Sequence, residues 1–150
     1  LSETSISRLT KKINYLKGKY PNCFWANPDE FFTDGPAVNF GSDFGLMPSK
    51  FEPGGIVQHE FFIAKTPVIA YKTGGLKDTV KPYNQYEGSG TGFSFKGYSS
   101  SELLDRINHA EWLYDNNTTE WKAMAKRAMK EDWSWTNSSK KYEALYDSLS

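Results

Sequence analysis

The chain has 150 residues, of which 38% are hydrophobic and 24% charged, a composition that fits one soluble globular domain and excludes disordered and fibrous classes. Eighteen basic and eighteen acidic residues give a formal net charge of zero, without the clustered basic excess on which nucleic-acid binding depends. One cysteine, Cys23, and two histidines, His59 and His109, exclude an internal disulfide, a thiolate cluster and a histidine-rich metal site, and suggest a reducing compartment.

The first predicted element is a helix whose apolar stripe is Ile6, Leu9, Ile13 and Leu16. After Pro21, the run Cys23-Phe24-Trp25-Ala26 reads as a short buried strand, and Asn27-Pro28 and Thr33-Asp34-Gly35-Pro36 as turns. A second strand is expected at Phe44-Gly45-Leu46-Met47, stopped by Pro48. A helix follows from about Gly55 to Lys65, then a third strand at Pro67-Val68-Ile69-Ala70-Tyr71, whose unbroken apolar character suits a sheet covered on both faces. Lys72-Thr73-Gly74-Gly75 is a glycine turn leading to a short helix at Leu76 to Val80. Lys81 to Gly90 reads as a surface loop and Thr91 to Phe95 as a fourth strand.

The remainder is predicted helical, with stripes Leu103, Ile107, Ala110, Tyr114 and then Trp121, Met124, Ala125, Ala128. Asn117 and Glu120 form a capping pair for the second of these. Ser134 is expected to cap a last helix with stripe Trp135, Tyr142, Leu145 and Leu149. The basic pairs Lys11-Lys12 and Lys140-Lys141 fall on solvated helix faces. Many Trp and Tyr residues lie after residue 110. They serve either as sugar platforms or as aromatic core together with a surface that docks on another domain. No run approaches the roughly 20 apolar residues that a membrane helix needs, and no signal peptide is evident. The chain begins with Leu1 rather than Met, as an excised piece would.

Strands alternating with helices predict an α/β fold with a Rossmann-like parallel sheet, which binds ligands at the carboxyl ends of its strands. The turns after Met47 and after Tyr71 lie at those ends, and both carry glycine pairs. Gly54-Gly55 entering a helix serves either as an anion site, with free first-turn N–H groups and the helix dipole, or as a purely conformational device. Glu52 precedes that helix and Glu60 stands eight residues on, close enough to lean back toward a ligand at the helix start. The plainer alternative is a dipole-complementing Glu52 and a solvent-facing Glu60. His59, Lys77 and Asp78 receive no functional role.

The blocks Asp43-Phe44-Gly45-Leu46-Met47-Pro48-Ser49-Lys50-Phe51-Glu52-Pro53-Gly54-Gly55, Thr66-Pro67-Val68-Ile69 and Lys72-Thr73-Gly74-Gly75-Leu76-Lys77-Asp78-Thr79-Val80 resemble the C-terminal half of starch synthases and bacterial glycogen synthases. Gly90-Thr91-Gly92-Phe93, Trp133-Ser134-Trp135, Tyr142 and Leu145-Tyr146 are similar to the same family in order and spacing. The resemblance implies the C-terminal half of a two-domain, retaining glycosyltransferase of the GT-B type. Residues 1–150 would then be a single donor-binding domain lacking its start and the N-terminal acceptor domain. The implied reaction transfers glucose from a nucleoside-diphosphate glucose, ADP-glucose or UDP-glucose, to the non-reducing end of an α-1,4-glucan with retention. No cofactor or metal is implied, nor a nucleic-acid or membrane partner, and the implied location is intracellular, cytoplasmic or plastid.

Position by position, the resemblance makes Glu52 the catalytic residue beside the donor sugar. It makes Gly55 and Ile56 backbone donors to the distal phosphate and Glu60 a ribose ligand. Lys50, Gly54, Thr73, Gly74 and Gly75 line the same crevice. The chain departs from the family at Gly54, where many relatives have cysteine, and at Lys50, where arginine is usual. Glu60 is often not acidic in the starch-synthase branch. The family's basic phosphate-binding residues lie upstream of Leu1. Two other functions remain open at this level: a related retaining transferase with another donor or acceptor, and a non-catalytic nucleotide- or glucan-binding module.

Overall fold

The computed structural model describes residues 3–23 and 37–149. The chain divides into two compact units, Leu1–Gly35 and Pro36–Ser150. The described part of the first is a helix, α1 (Glu3–Lys19), followed by a turn in which the Cys23 N–H donates to the Tyr20 carbonyl at 3.0 Å. The expected strand beyond Cys23 and both turns between Asn27 and Pro36 lie outside the described residues.

The second unit opens with a short helix, α2 (residues 37–41). It continues as β1 (Gly45–Met47), α3 (Val57–Ile63), β2 (Val68–Tyr71), α4 (Gly74–Thr79), β3 (Gly92–Phe95), α5 (Ser100–Asn116), α6 (Thr118–Met129) and α7 (Trp135–Asp147). The three strands form one parallel sheet in chain order, with Leu46 paired to Ile69 and Ile69 to Phe93. All three therefore present their carboxyl ends to the same edge.

The central strand explains the layering. Side chains alternate across a strand, so Val68 and Ala70 enter one core with Met47, Phe62, Leu76, Val80 and Ala128. Ile69 enters the opposite core with Phe93, Ala110, Leu113 and Met124. Both faces of β2 are covered, as its continuous apolar run requires. At roughly 1.5–3 kcal/mol per buried aliphatic side chain, these two cores hold the sheet and thereby fix where its carboxyl edge lies.

Several boundaries differ from expectation for identifiable reasons. The helix predicted from Gly55 to Lys65 spans only Val57–Ile63. Gly55 has φ +70° and Lys65 φ +63°, both left-handed, so neither continues a right-handed helix. The Lys65 N–H donates to the Phe62 carbonyl at 3.0 Å and the Thr66 N–H to Phe61 at 2.8 Å, the crossed pair of a Schellman ending with lysine in glycine's usual place. The helix predicted at Leu76 to Val80 starts earlier, at Gly74.

On α5 the core residues are Ala110, as the stripe predicts, and Leu113. Tyr114 instead lies partly exposed and packs edge-on against Phe44 and Trp121. Asn117 caps α6 as expected, its side chain accepting from the Glu120 N–H at 3.1 Å. Ser134 occupies the start of α7 but makes no side-chain cap bond. The expected stripe of α7 is present, yet the helix buries none of its residues.

Candidate functional site

Both glycine turns leave the carboxyl edge of the sheet, one after β1 and one after β2. The first runs from Pro48 to Ile56 and the second is Lys72-Thr73-Gly74-Gly75. They are interlocked. The Gly75 N–H donates to the carbonyls of Glu52 and Pro53, both at 3.2 Å, so the second turn seizes the first at the candidate catalytic residue.

The approach is too close for side chains. A Cβ on Gly74, which has φ +43°, would lie 1.8 Å from the Glu52 carbonyl oxygen, and one on Gly75 would lie 1.9 Å from that of Gly54. These two glycines are thus required by the contact between the turns. Gly54 differs, since a Cβ there would meet nothing within 4 Å. Gly55 is held by its left-handed backbone and by the Gln58 amide, 2.5 Å from where its Cβ would stand.

The other candidates distribute around this interlock. Glu52 is partly exposed, and its backbone carbonyl is clamped by the Gly75 N–H. Gly54 and Ile56 stand on the surface, Ile56 at 74% exposure. Ile56 is the residue before α3, and no side chain caps that helix. Thr73 precedes α4 and reaches from the second turn to the first, its hydroxyl donating to the Lys50 carbonyl at 3.4 Å. The Lys50 ammonium lies 5.9 Å from the centre of the Tyr98 ring. That ring packs edge-on to Tyr71 at 4.9 Å, and its hydroxyl donates to the Pro48 carbonyl at 3.2 Å. Tyr98 therefore buttresses the start of the first turn from beyond β3. A cavity of about 190 Å³ lined by Pro48, Phe95, Tyr98 and Leu103 adjoins it.

Glu60 is an exposed residue of α3 whose Oε2 accepts from the Asn39 amide of α2 at 3.4 Å. The structure thus ties its carboxylate to α2, while Glu52, Gly54, Gly55, Thr73, Gly74 and Gly75 are brought into one interlocked unit. His59 stacks on Trp133 at 5.8 Å and edge-on to Phe62 at 6.3 Å, and partial burial lowers its pKa from the usual 6.5. That is packing rather than a poised base. Among the described residues no group of three or more His, Cys, Asp or Glu side chains is placed to hold a metal ion, and no helix is long and apolar enough to cross a membrane.

Three residues that bear on the site receive no role from the sequence: Tyr98, Gln58 and Thr79, the last quoted only within the block that carries the resemblance. Gln58 has no solvent exposure and Thr79 is buried. The available signal was position, since Gln58 and Phe62 are four apart on one helix face and Phe62 is core.

The model of the family "Glycosyl transferases group 1" matches residues 27–130. The chain is 52% identical over 104 residues to a glycogen synthase of Lachnospira eligens, covering 69% of this chain and 22% of that protein. It is 38% identical over 146 residues to a glycogen synthase of Clostridium acetobutylicum, covering 97% of this chain and 31% of the relative. The chain therefore spans only about a fifth to a third of these relatives' length. Among solved structures, it superposes on the catalytic domain of starch synthase IV from Arabidopsis thaliana bound to ADP and acarbose. The TM-score is 0.63 and the identity 30%, over 71% of this chain and 22% of that one. Sucrose-phosphate synthase from Thermosynechococcus elongatus matches with TM-score 0.60 over 93% of this chain and 34% of that one, at 23% identity, a likeness of fold alone.

Proposed function

The chain belongs to the group 1 glycosyl transferases, and from that premise we propose that it supplies the donor-binding half of a starch- or glycogen-synthase-type enzyme. The reaction is transfer of glucose from ADP-glucose or UDP-glucose to the non-reducing end of an α-1,4-glucan, with retention. The observation that carries this reading is the interlock of the two glycine turns, which fixes the Glu52 backbone at the carboxyl edge of a parallel sheet, where such folds take their ligands. The glycogen synthases it resembles, and a starch synthase solved with ADP and acarbose, support the choice of donor and acceptor.

In this reading the Glu52 carboxylate lies beside the donor sugar and stabilises positive charge as the bond to the leaving diphosphate lengthens. The acceptor hydroxyl attacks from the same face that the diphosphate leaves. Positioning and electrostatics dominate such a step. The N–H groups of Gly55 and Ile56 meet the distal phosphate. Lys50, Gly54, Thr73, Gly74 and Gly75 line the crevice, and Glu60 meets the ribose while Asn39 holds its Oε2.

We further propose that residues 1–150 are part of a two-domain enzyme whose other domain supplies most of the acceptor site, with the basic phosphate ligands lying upstream of Leu1. The chain alone is then inactive, and the enzyme works inside the cell. Support comes from α7, where Trp135 is 81% exposed and Tyr142, Leu145 and Tyr146 are also exposed, an apolar face of the kind that docks on protein.

Glu52→Gln in the full-length protein tests the mechanism. Turnover should fall well beyond tenfold, about 1.4 kcal/mol of barrier, and retention of activity within tenfold would remove Glu52 from the chemistry.

A further inference from the structure

Behind the interlocked turns lies a second connection between them, built from two buried side chains. The Gln58 Nε2 donates to the Gly55 carbonyl at 2.7 Å and to the Thr79 hydroxyl at 3.2 Å. The Thr79 Oγ1 in turn donates to the Gly75 carbonyl at 2.8 Å. The amide's two hydrogens serve these two nearer acceptors, the Gly54 carbonyl and the His59 Nε2 standing farther off at 3.5 and 3.4 Å, and the hydroxyl accepts one bond while giving its proton to another. Because the Gly75 N–H already holds Glu52 and Pro53, both polar groups of Gly75 are engaged. The circuit closes through Gly55, Gln58, Thr79, Gly75 and back to Glu52.

Gln58 is wholly buried and its Oε1 has no hydrogen-bond partner among the described residues, a costly placement for a polar side chain. An apolar residue of the same size would avoid that cost. The placement is explained by the one thing such a residue lacks, two donors aimed at both turns. From this geometry we infer that Gln58 and Thr79 are positioning residues that hold the two glycine turns as one rigid cradle for the nucleoside diphosphate of the donor. Neither side chain touches the donor, since both lie beneath the turns. This assignment rests on the donor-site reading above and names what keeps that site in shape.

A cradle acts on the ligand it holds, so its loss should appear in donor affinity and not in acceptor affinity. Thr79→Val keeps shape and removes the hydroxyl, Thr79→Ser restores it, and Gln58→Met removes both amide donors. In the full-length protein, Thr79→Val and Gln58→Met should each raise the donor KM and the ADP dissociation constant about tenfold, leaving the glucan KM within twofold. Thr79→Ser should stay within about threefold of the parent. The double variant should bind ADP no more than about threefold worse than either single one, because both break one circuit. Folded variants with parental donor KM and ADP affinity would overturn the assignment. So would equal losses for donor and glucan, or failure of Thr79→Val and Gln58→Met alike to fold, which would make the pair a determinant of the fold. A parent protein that binds neither ADP nor UDP would instead overturn the donor-site reading itself.

Discussion

A single methyl group separates the glycines of the site into two classes. On Gly75 it would stand 1.9 Å from the Gly54 carbonyl oxygen, whereas on Gly54 it would meet nothing within 4 Å. Neither partner of the Gly75 contact is a flexible side chain, so relief requires the turns to separate and the bonds to Glu52 and Pro53 to lengthen. Gly75→Ala should therefore cost about 3 kcal/mol, the upper part of the range for overpacking, and Gly54→Ala less than about 0.5 kcal/mol. Denaturant unfolding of the two variants reads this directly, and equal stabilities would contradict the interlock. The need for Gly74 and Gly75 is not legible from a string of letters, because it arises from a contact between turns more than 20 residues apart.

At the level of elements, α3 shows where pattern reading stops. Its apolar residues place a helix between the two glycine turns, and the structure puts one there. Its ends are set by backbone signs that the apolar pattern does not encode. Lys65 sits at φ +63° in the Schellman ending, a conformation that costs a residue with a Cβ about 1–2 kcal/mol relative to glycine. Lys65→Gly should raise stability by about 0.5 kcal/mol once the extra freedom of the unfolded glycine is offset. A loss of stability in thermal or denaturant unfolding would mean that the lysine side chain contributes more than its backbone costs. The strands were easier to read. Val68 to Ala70 are continuously apolar because both faces of β2 are buried, and that demand leaves its mark in composition. The turn of α5 that brings Leu113 rather than Tyr114 inward is a matter of helix rotation, which an apolar–aromatic pair at adjacent positions does not resolve. Gln58 escaped notice for the opposite reason, being a polar residue on a face that points inward.

Across the whole molecule, the two histidines set one pH dependence. Burial lowers the pKa of His59 from 6.5, and burial with help from the Arg106 charge lowers that of His109, partly countered by Asp105. Between those lowered values and 6.5 the unfolded chain binds more protons than the folded one, so unfolding free energy falls as pH drops through that window. The stability they contribute is fully present above 6.5. The unfolding temperature should decline from pH 7.5 to pH 5.5, and replacing both histidines with glutamine should flatten that slope. An unchanged slope would place its origin elsewhere.

The candidate site was partly legible on the same scale. Its glycine turns and Glu52 stand out by motif and lie together in space. The spacing lets Glu60 lean back toward the helix start, and in the structure Asn39 engages it. The apolar stripe of α7 is legible too, but its exposure is not, since among the described residues the helix buries none of its side chains.

The two glycine turns are proposed as a half-site for a nucleoside diphosphate. Its most direct test is an NMR titration of this chain with ADP and then UDP, following backbone amides. Saturable shifts are expected centred on Gly54, Gly55, Ile56, Gly74 and Gly75, with the stronger response identifying the base. Saturable shifts centred elsewhere, with these five amides unmoved, would contradict it.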